Sequence, residues 1–210
     1  MGAFDFMLRN WTEVLELTLQ HVWLVAVAML LAVLIGVPLG IVVTRRPLLR
    51  RWTLGAANVL QTVPSLALFG FLIPVPFLGG IGARTAILAL TLYALLPILR
   101  NTYAGITGVD PAVVEAARGM GMTNAQVLRQ VELPLSIGVV LAGIRVATVT
   151  SVGVATIAAA IGAGGLGTFI FRGVAMVNDQ VILAGAIPAA VLAVLADLLL
   201  GWAERRLTPR

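Results

Sequence analysis

The stretch His21-Val22-Trp23-Leu24-Val25-Ala26-Val27-Ala28-Met29-Leu30-Leu31-Ala32-Val33-Leu34-Ile35-Gly36-Val37-Pro38-Leu39-Gly40-Ile41-Val42-Val43-Thr44 decides the fold. It is free of charge and lies between Glu16 and Arg45. A membrane-spanning helix needs about 20 predominantly apolar residues, and this run exceeds that length. It is too long for a cleavable signal peptide, follows an acidic rather than a basic segment, and has no small-residue cleavage site after it.

Working outward, the interval between Arg51 and Arg84 has room for one span and a turn. Pro74, Pro76, Gly79 and Gly80 mark the turn, which places the second span near Ala56–Ile73. A third span, Thr85–Leu99, is short and requires Arg84 and Arg100 to extend outward at its ends. The fourth runs from about Ser136 to Ile161 and contains Arg145; the fifth runs from about Val181 to Ala203 and contains Asp197. The expected fold is thus an all-α integral membrane protein of about five transmembrane helices. Residues 1–210 form one transmembrane domain with no room for a separate soluble one.

Composition agrees. Hydrophobic residues make up 60% of the 210, and charged residues only 11%, against about 25% in soluble domains. There is no cysteine and one histidine, so neither a thiolate nucleophile nor a His-built metal centre is available. All 14 basic residues are arginine, which excludes a Walker-A lysine and a Schiff-base lysine. If the protein's work uses ATP, a partner must hydrolyse it. Neither a metal nor a cofactor is expected.

Ten of the 14 arginines follow spans one, three and five: Arg45, Arg46, Arg50, Arg51, Arg100, Arg118, Arg129, Arg205, Arg206 and Arg210. The positive-inside rule makes that side cytoplasmic, with the N-terminus outside and the C-terminus inside. Trp52 and Trp202 then fall at the inner boundary and Trp23 at the outer one, where amphipathic rings prefer to sit. The net charge of +5 is therefore membrane topology, not a nucleic-acid surface. Phe4–Leu19, with Phe4, Met7, Leu8, Trp11, Leu15 and Leu19 at helical spacing, reads as an amphipathic helix on the outer interface or as a water-exposed extension of span one.

One long polar segment remains, Arg100 to Pro134, a cytoplasmic loop at about residues 101–134. Asp110 is a good N-cap with Pro111 at the first helical position, so Ala112 to Arg118 reads as a helix that Gly119 and Gly121 end. Thr123 and Gln126 have capping-box spacing and start a second helix, Asn124 to Val131, which Pro134 helps to stop. A DNA-binding helix-turn-helix is a poor reading, because a unit tied to the bilayer at both ends lacks a core of its own. The low Ala116–Ala117 face, the two glycines and the apolar Val113, Val114, Met120 and Met122 suit docking in a groove of another protein.

These residues carry a resemblance. Glu115-Ala116-Ala117, Gly121, Val131 and Leu133-Pro134 stand at the spacing of the EAA loop of ABC-importer permeases, with Val131 where that pattern usually has isoleucine. The resemblance implies that Glu115, Ala116, Ala117, Arg118, Gly119, Gly121, Leu133 and Pro134 couple to an ATPase subunit. It covers nearly the whole chain. Five spans with the loop after the third resemble the type I importer permeases of the methionine kind. Closer similarity is to the osmoprotectant permeases for glycine betaine, choline or carnitine. It rests on Asn58-Val59-Leu60-Gln61-Thr62-Val63-Pro64-Ser65-Leu66-Ala67-Leu68-Phe69-Gly70-Phe71, on Tyr93-Ala94-Leu95-Leu96-Pro97-Ile98-Leu99-Arg100-Asn101-Thr102-Tyr103, and on Ile161-Gly162-Ala163-Gly164-Gly165-Leu166-Gly167.

The resemblance implies a multi-pass permease of the bacterial inner membrane, itself not an enzyme. Its partners would be two ATPases, an extracytoplasmic substrate-binding protein, a second copy or paralogous permease, and the lipid bilayer, with no nucleic acid. No binding-protein domain is expected on this chain, which ends at Arg210. An aromatic cage for trimethylammonium is expected on the binding protein, since this chain has two tyrosines. An ABC permease for another small solute and an ion-coupled secondary carrier are the alternatives. The latter usually shows midplane charges and internal repeats.

Polar groups inside span two, Gln61, Thr62, Pro64 and Ser65, are assigned to the translocation path, with interhelical hydrogen bonding as the alternative. Gly162, Gly164, Gly165 and Gly167 lie at the outer end of span four, at an outer gate or in a merely flexible loop. No βαβ pattern surrounds them, so a nucleotide-binding loop is rejected. Arg145 is assigned a structural or interfacial role, in the cytoplasmic vestibule or paired with a carboxylate such as Glu132 or Asp197. Gly36 and Gly40 form a small-xxx-small step for close helix packing, and His21 is expected to be an interfacial cap.

Overall fold

The computed structural model describes residues 2–76 and 79–208; Arg210, counted above with the cytoplasmic arginines, lies outside them. In chain order the elements are α1 (Ala3–Arg9), α2 (Trp11–Thr44), α3 (Pro47–Thr62), α4 (Ser65–Leu72), α5 (Ala83–Thr107), α6 (Pro111–Gly119) and α7 (Asn124–Val127). A π-helical turn (Leu128–Glu132) leads into α8 (Leu133–Ile157), which a 3₁₀ turn (Ala158–Ile161) extends; α9 (Gly167–Ala175) and α10 (Asp179–Leu207) follow. No strand occurs among the described residues. Four helical stretches are long and apolar enough to cross a membrane: α2, α5, the continuous rod Asn124–Ile161 and α10. The bent pair α3–α4 supplies the fifth.

Span two is broken at Pro64. Pro64 has no backbone N–H and disfavours helical geometry in Val63 before it. Val63 is extended, and α3 and α4 meet at 105°. The chain break is satisfied by tertiary contact: the Tyr93 hydroxyl donates to the Val63 carbonyl. Non-helical backbone at membrane depth is tolerated when protein supplies such a partner.

The N-terminal segment is divided. A break at Asn10 separates α1 from α2, so residues from Trp11 onward extend span one and only Ala3–Arg9 forms a distinct helix. That short helix packs inward, with Phe6 edge-on to Phe169 at 6.0 Å between ring centroids. The second helix of the polar loop is also altered. Only Asn124–Val127 is α-helical before the π turn, and Pro134 does not stop the helix. Proline is tolerated in the first turn of a helix, and Pro134 holds such a position in α8, directly after the π turn through which the rod continues.

The core lies where α2, α5 and α8 cross. Ala28, Ala32, Ala86, Ala89, Ala94, Ala147 and Ala155 are buried there with Leu24, Leu90, Ile98 and Phe69. In a bilayer, close backbone approach through small residues replaces the hydrophobic drive. The Gly36–Gly40 step serves this role: a Cβ on Gly40 would lie 2.6 Å from Thr102 Cβ, and one on Gly36 would lie 2.9 Å from Ile98 Cγ2. A second cluster, Leu17, Leu166, Phe169, Val181 and Ala184, ties α9 and α10 to the start of α2.

Candidate coupling and gating sites

The polar loop folds as its caps dictate. Asp110 Oδ1 accepts from the Ala112 amide at 2.8 Å, and Gln126 Oε1 accepts from the Thr123 amide at 2.8 Å. Gly121 takes φ +86°, a value that side chains rarely adopt, and thereby turns the chain between α6 and α7. Ala117 is buried, whereas Glu115, Ala116, Arg118 and Gly119 are exposed; Leu133 is half-buried and Pro134 exposed. Val113, Ala116 and Met120, at helical spacing, leave an apolar ridge open to solvent, with Met120 77% exposed. Behind α6 lies a cleft of about 250 Å³ whose lining includes Arg45, Glu115, Arg118 and Glu132. Arg45 Nη2 donates to the buried Glu132 carboxylate.

Further along, Gln61, Thr62 and Pro64 are exposed at the α3–α4 bend and Ser65 is half-buried. Thr62 Oγ1 donates back to the Val59 carbonyl at 2.7 Å. The same side of α3 meets α5 through polar contacts that the sequence quoted but did not single out. Arg100 Nη2 donates to Asn58 Oδ1 at 2.6 Å, and Arg50 Nη1 donates to the Tyr103 hydroxyl at 2.5 Å. A largely apolar groove of about 800 Å³, lined by Leu48, Trp52, Val59, Leu60 and Val63, runs along α3.

Arg145 pairs with Asp197 and not with Glu132. Its Nε and Nη2 each lie 2.6 Å from an Asp197 carboxylate oxygen, and Glu204 Oε2 is 3.5 Å from Nη1. Gly201 makes room, since a Cβ there would lie 2.9 Å from Arg145 Nη1. A bidentate fork of this kind neutralises a guanidinium that lies within a span.

At the far end of the rod, Gly162, Gly164 and Gly165 take φ +73°, +80° and +77°, and Gly167 starts α9. Gly167 has no room for a side chain, because a Cβ would lie 1.8 Å from the Thr156 carbonyl oxygen. The Gly165 amide donates to Gln20 Oε1 at 3.2 Å. His21 is a correction: it is fully buried, not interfacial, because α2 begins ten residues before it. Its Nε2 lies 3.1 Å from the Val152 carbonyl oxygen and its Nδ1 has no partner. Arg172 Nη1 pairs with Glu13 Oε1 at 2.8 Å at this same end.

The residues singled out therefore form no single pocket. The EAA-like group and the glycine-rich group occupy opposite ends of one helical rod, Asn124–Ile161, with the bend of span two between them. That layout joins the exposed ridge of α6 to a distant glycine-rich loop through one continuous helical rod.

Known proteins with this layout are transporters. Residues 32–209 match the family described as "Binding-protein-dependent transport system inner membrane component". The carnitine transport permease protein OpuCD of Listeria monocytogenes is 47% identical over 206 residues, covering 98% of this chain and 91% of that protein. The osmoprotectant import permease protein OsmW of Salmonella typhimurium is 45% identical over 212 residues, covering 100% and 99%. Among solved structures, an inward-facing MetNI methionine ABC transporter superposes with a TM-score of 0.86 at 24% identity, covering 96% of this chain and 99% of that one, a likeness of fold. Family membership carries with it ATPase and permease partners and a transport role without catalysis in this chain. The chain belongs to the binding-protein-dependent transport system inner membrane components, as a multi-pass permease subunit.

Proposed function

We propose that this permease imports osmoprotectants bearing a trimethylammonium group, such as carnitine, choline or glycine betaine. Permeases for carnitine, choline and osmoprotectants align with nearly all of this chain at 45–48% identity. The observation that carries the mechanism is the exposed ridge of α6 beside a glycine turn, at the root of a rod that crosses the membrane. In this reading the whole chain, 1–210, is one permease domain. The α6 end is cytoplasmic and the N-terminus outside. Glu115, Ala116, Ala117, Arg118, Gly119, Gly121, Leu133 and Pro134 seat in an ATPase subunit. A second permease, identical or paralogous, completes the pathway.

Gln61, Thr62, Pro64 and Ser65 face that pathway, and the exposure of the first three in the single chain supports the assignment. Gly162, Gly164, Gly165 and Gly167 form the outer gate, to which an extracytoplasmic binding protein delivers its load. ATP binding draws the two α6 ridges together, and the rods carry that movement to the gate. The test is uptake of labelled choline and glycine betaine into liposomes. Uptake should require ATP, the ATPase and the binding protein together. Uptake by this chain alone under an ion gradient would establish the secondary-carrier alternative instead.

A further inference from the structure

Glu132 is the one carboxylate buried in the fold among the described residues, and its partner Arg45, at the C-terminal cap of α2, is 43% exposed. Burying a charge is costly, and a well-packed apolar pair would hold two helices at least as firmly. Stability alone therefore does not account for charges at this joint.

Two further features stand at the same place. Glu132 closes the π turn, where the Leu133 amide reaches back to the Leu128 carbonyl. A π turn winds in one extra residue. Its relaxation to α geometry would turn one side of the helix against the other by about 100°, the rotation of a single residue. The cleft behind α6 also holds two cations, Arg45 and Arg118, and two carboxylates, Glu115 and Glu132. Only Arg45 and Glu132 are paired; Glu115 and Arg118 take part in none of the ion pairs among the described residues. A second pairing, Glu132 with Arg118 and Arg45 with Glu115, is open to the same four groups.

We propose that Arg45 and Glu132 form a releasable latch. Closed as in this structure, it holds the end of span one to the root of the coupling loop. When the ATPases drive α6 inward, the π turn relaxes and the two pairs exchange partners inside the cleft. Arg45 and Glu132 are positioning residues, and the proposal rests on the coupling-loop reading given above.

The test uses the complete transporter with Arg45→Gln, Glu132→Gln and the reversal Arg45→Glu/Glu132→Arg. The neutral variants should still copurify with the ATPase, while hydrolysis without binding protein rises about tenfold, the size of a modest coupling free energy. In the reversal the closed pair forms again, but exchange would set the carboxylate now at position 45 against Glu115 and the guanidinium now at position 132 against Arg118. The reversed protein should therefore hydrolyse as quietly as the native one and lose at least about tenfold in uptake. Full uptake with quiet hydrolysis in the reversal would make the pair a static strut and overturn the latch. So would neutral variants indistinguishable from native protein, an outcome that decides the matter even if the reversal fails to reach the membrane. Absence of the ATPase from the purified native complex would instead overturn the coupling-loop reading, on which the latch depends.

Discussion

At the scale of single residues, glycine and histidine divide what the sequence disclosed from what it hid. Gly36 and Gly40 were legible because a small-xxx-small step within an apolar run has few other uses, and both face α5 at contact distance. Overfilling a close-packed joint costs about 1–3 kcal/mol. Gly40→Leu, whose Cβ alone would meet Thr102 at 2.6 Å, should therefore lower the denaturation midpoint of the detergent-solubilised protein, while Gly119→Ala, with open space around it, should not. Equal midpoints would show that α2 and α5 can part freely. His21 was misread because a lone polar residue at the edge of an apolar run looks like a boundary. The burial follows from Trp11–Gln20 being helical as well, a stretch that Glu13 and Glu16 make look like a flank outside the span.

At the scale of elements, long apolar runs and the breaker Pro64 are legible, whereas the geometry of the interruption is not. Five spans follow from charge spacing, yet the 105° bend follows from how Pro64, Val63 and the distant Tyr93 meet, a contact that periodicity cannot supply. Helix α9 escaped notice because Gly167–Ala175 is short and follows a glycine-rich run that reads as loop; its partners on α10 are what make it a helix. The π turn lies in a sequence that simple propensity assigns to α-helix. The caps, by contrast, are local, and they were legible. Asp110→Ala removes the bond to the Ala112 amide, a loss of about 1 kcal/mol, and should speed amide exchange across α6 about fivefold. Hydrogen exchange read by mass spectrometry checks this; unchanged protection of residues 111–119 would mean that packing, not the cap, holds α6.

For the whole molecule, the arginine distribution is the strongest guide to orientation. Arg45 and Arg118 line the cleft behind α6, while Arg172, on the helix after the glycine-rich run, pairs with Glu13. The orientation this implies has a direct check, because the chain contains no cysteine. Met120→Cys and Met176→Cys place single thiols at exposed sites at opposite ends. A membrane-impermeant maleimide should label the first only in inverted vesicles and the second only in intact cells; the opposite pattern would invert the topology. The candidate functional residues were legible as short motifs. Their separation to opposite ends follows from the order of the spans; that one rod joins them does not, because it depends on the helix running unbroken through Pro134.

That unbroken rod has a geometric consequence. Its 38 residues, Asn124–Ile161, measure about 57 Å at helical rise, well beyond the hydrocarbon thickness of about 30 Å. A rigid beam of that length held near its middle works as a see-saw: tilting it by about 10° would swing each tip by roughly 5 Å in opposite directions. Such a displacement at one tip rivals a full helical pitch at the other. The beam would thus part the contacts of Gly165 with Gln20 through a small angular change, with no residue in the bilayer needing to unwind.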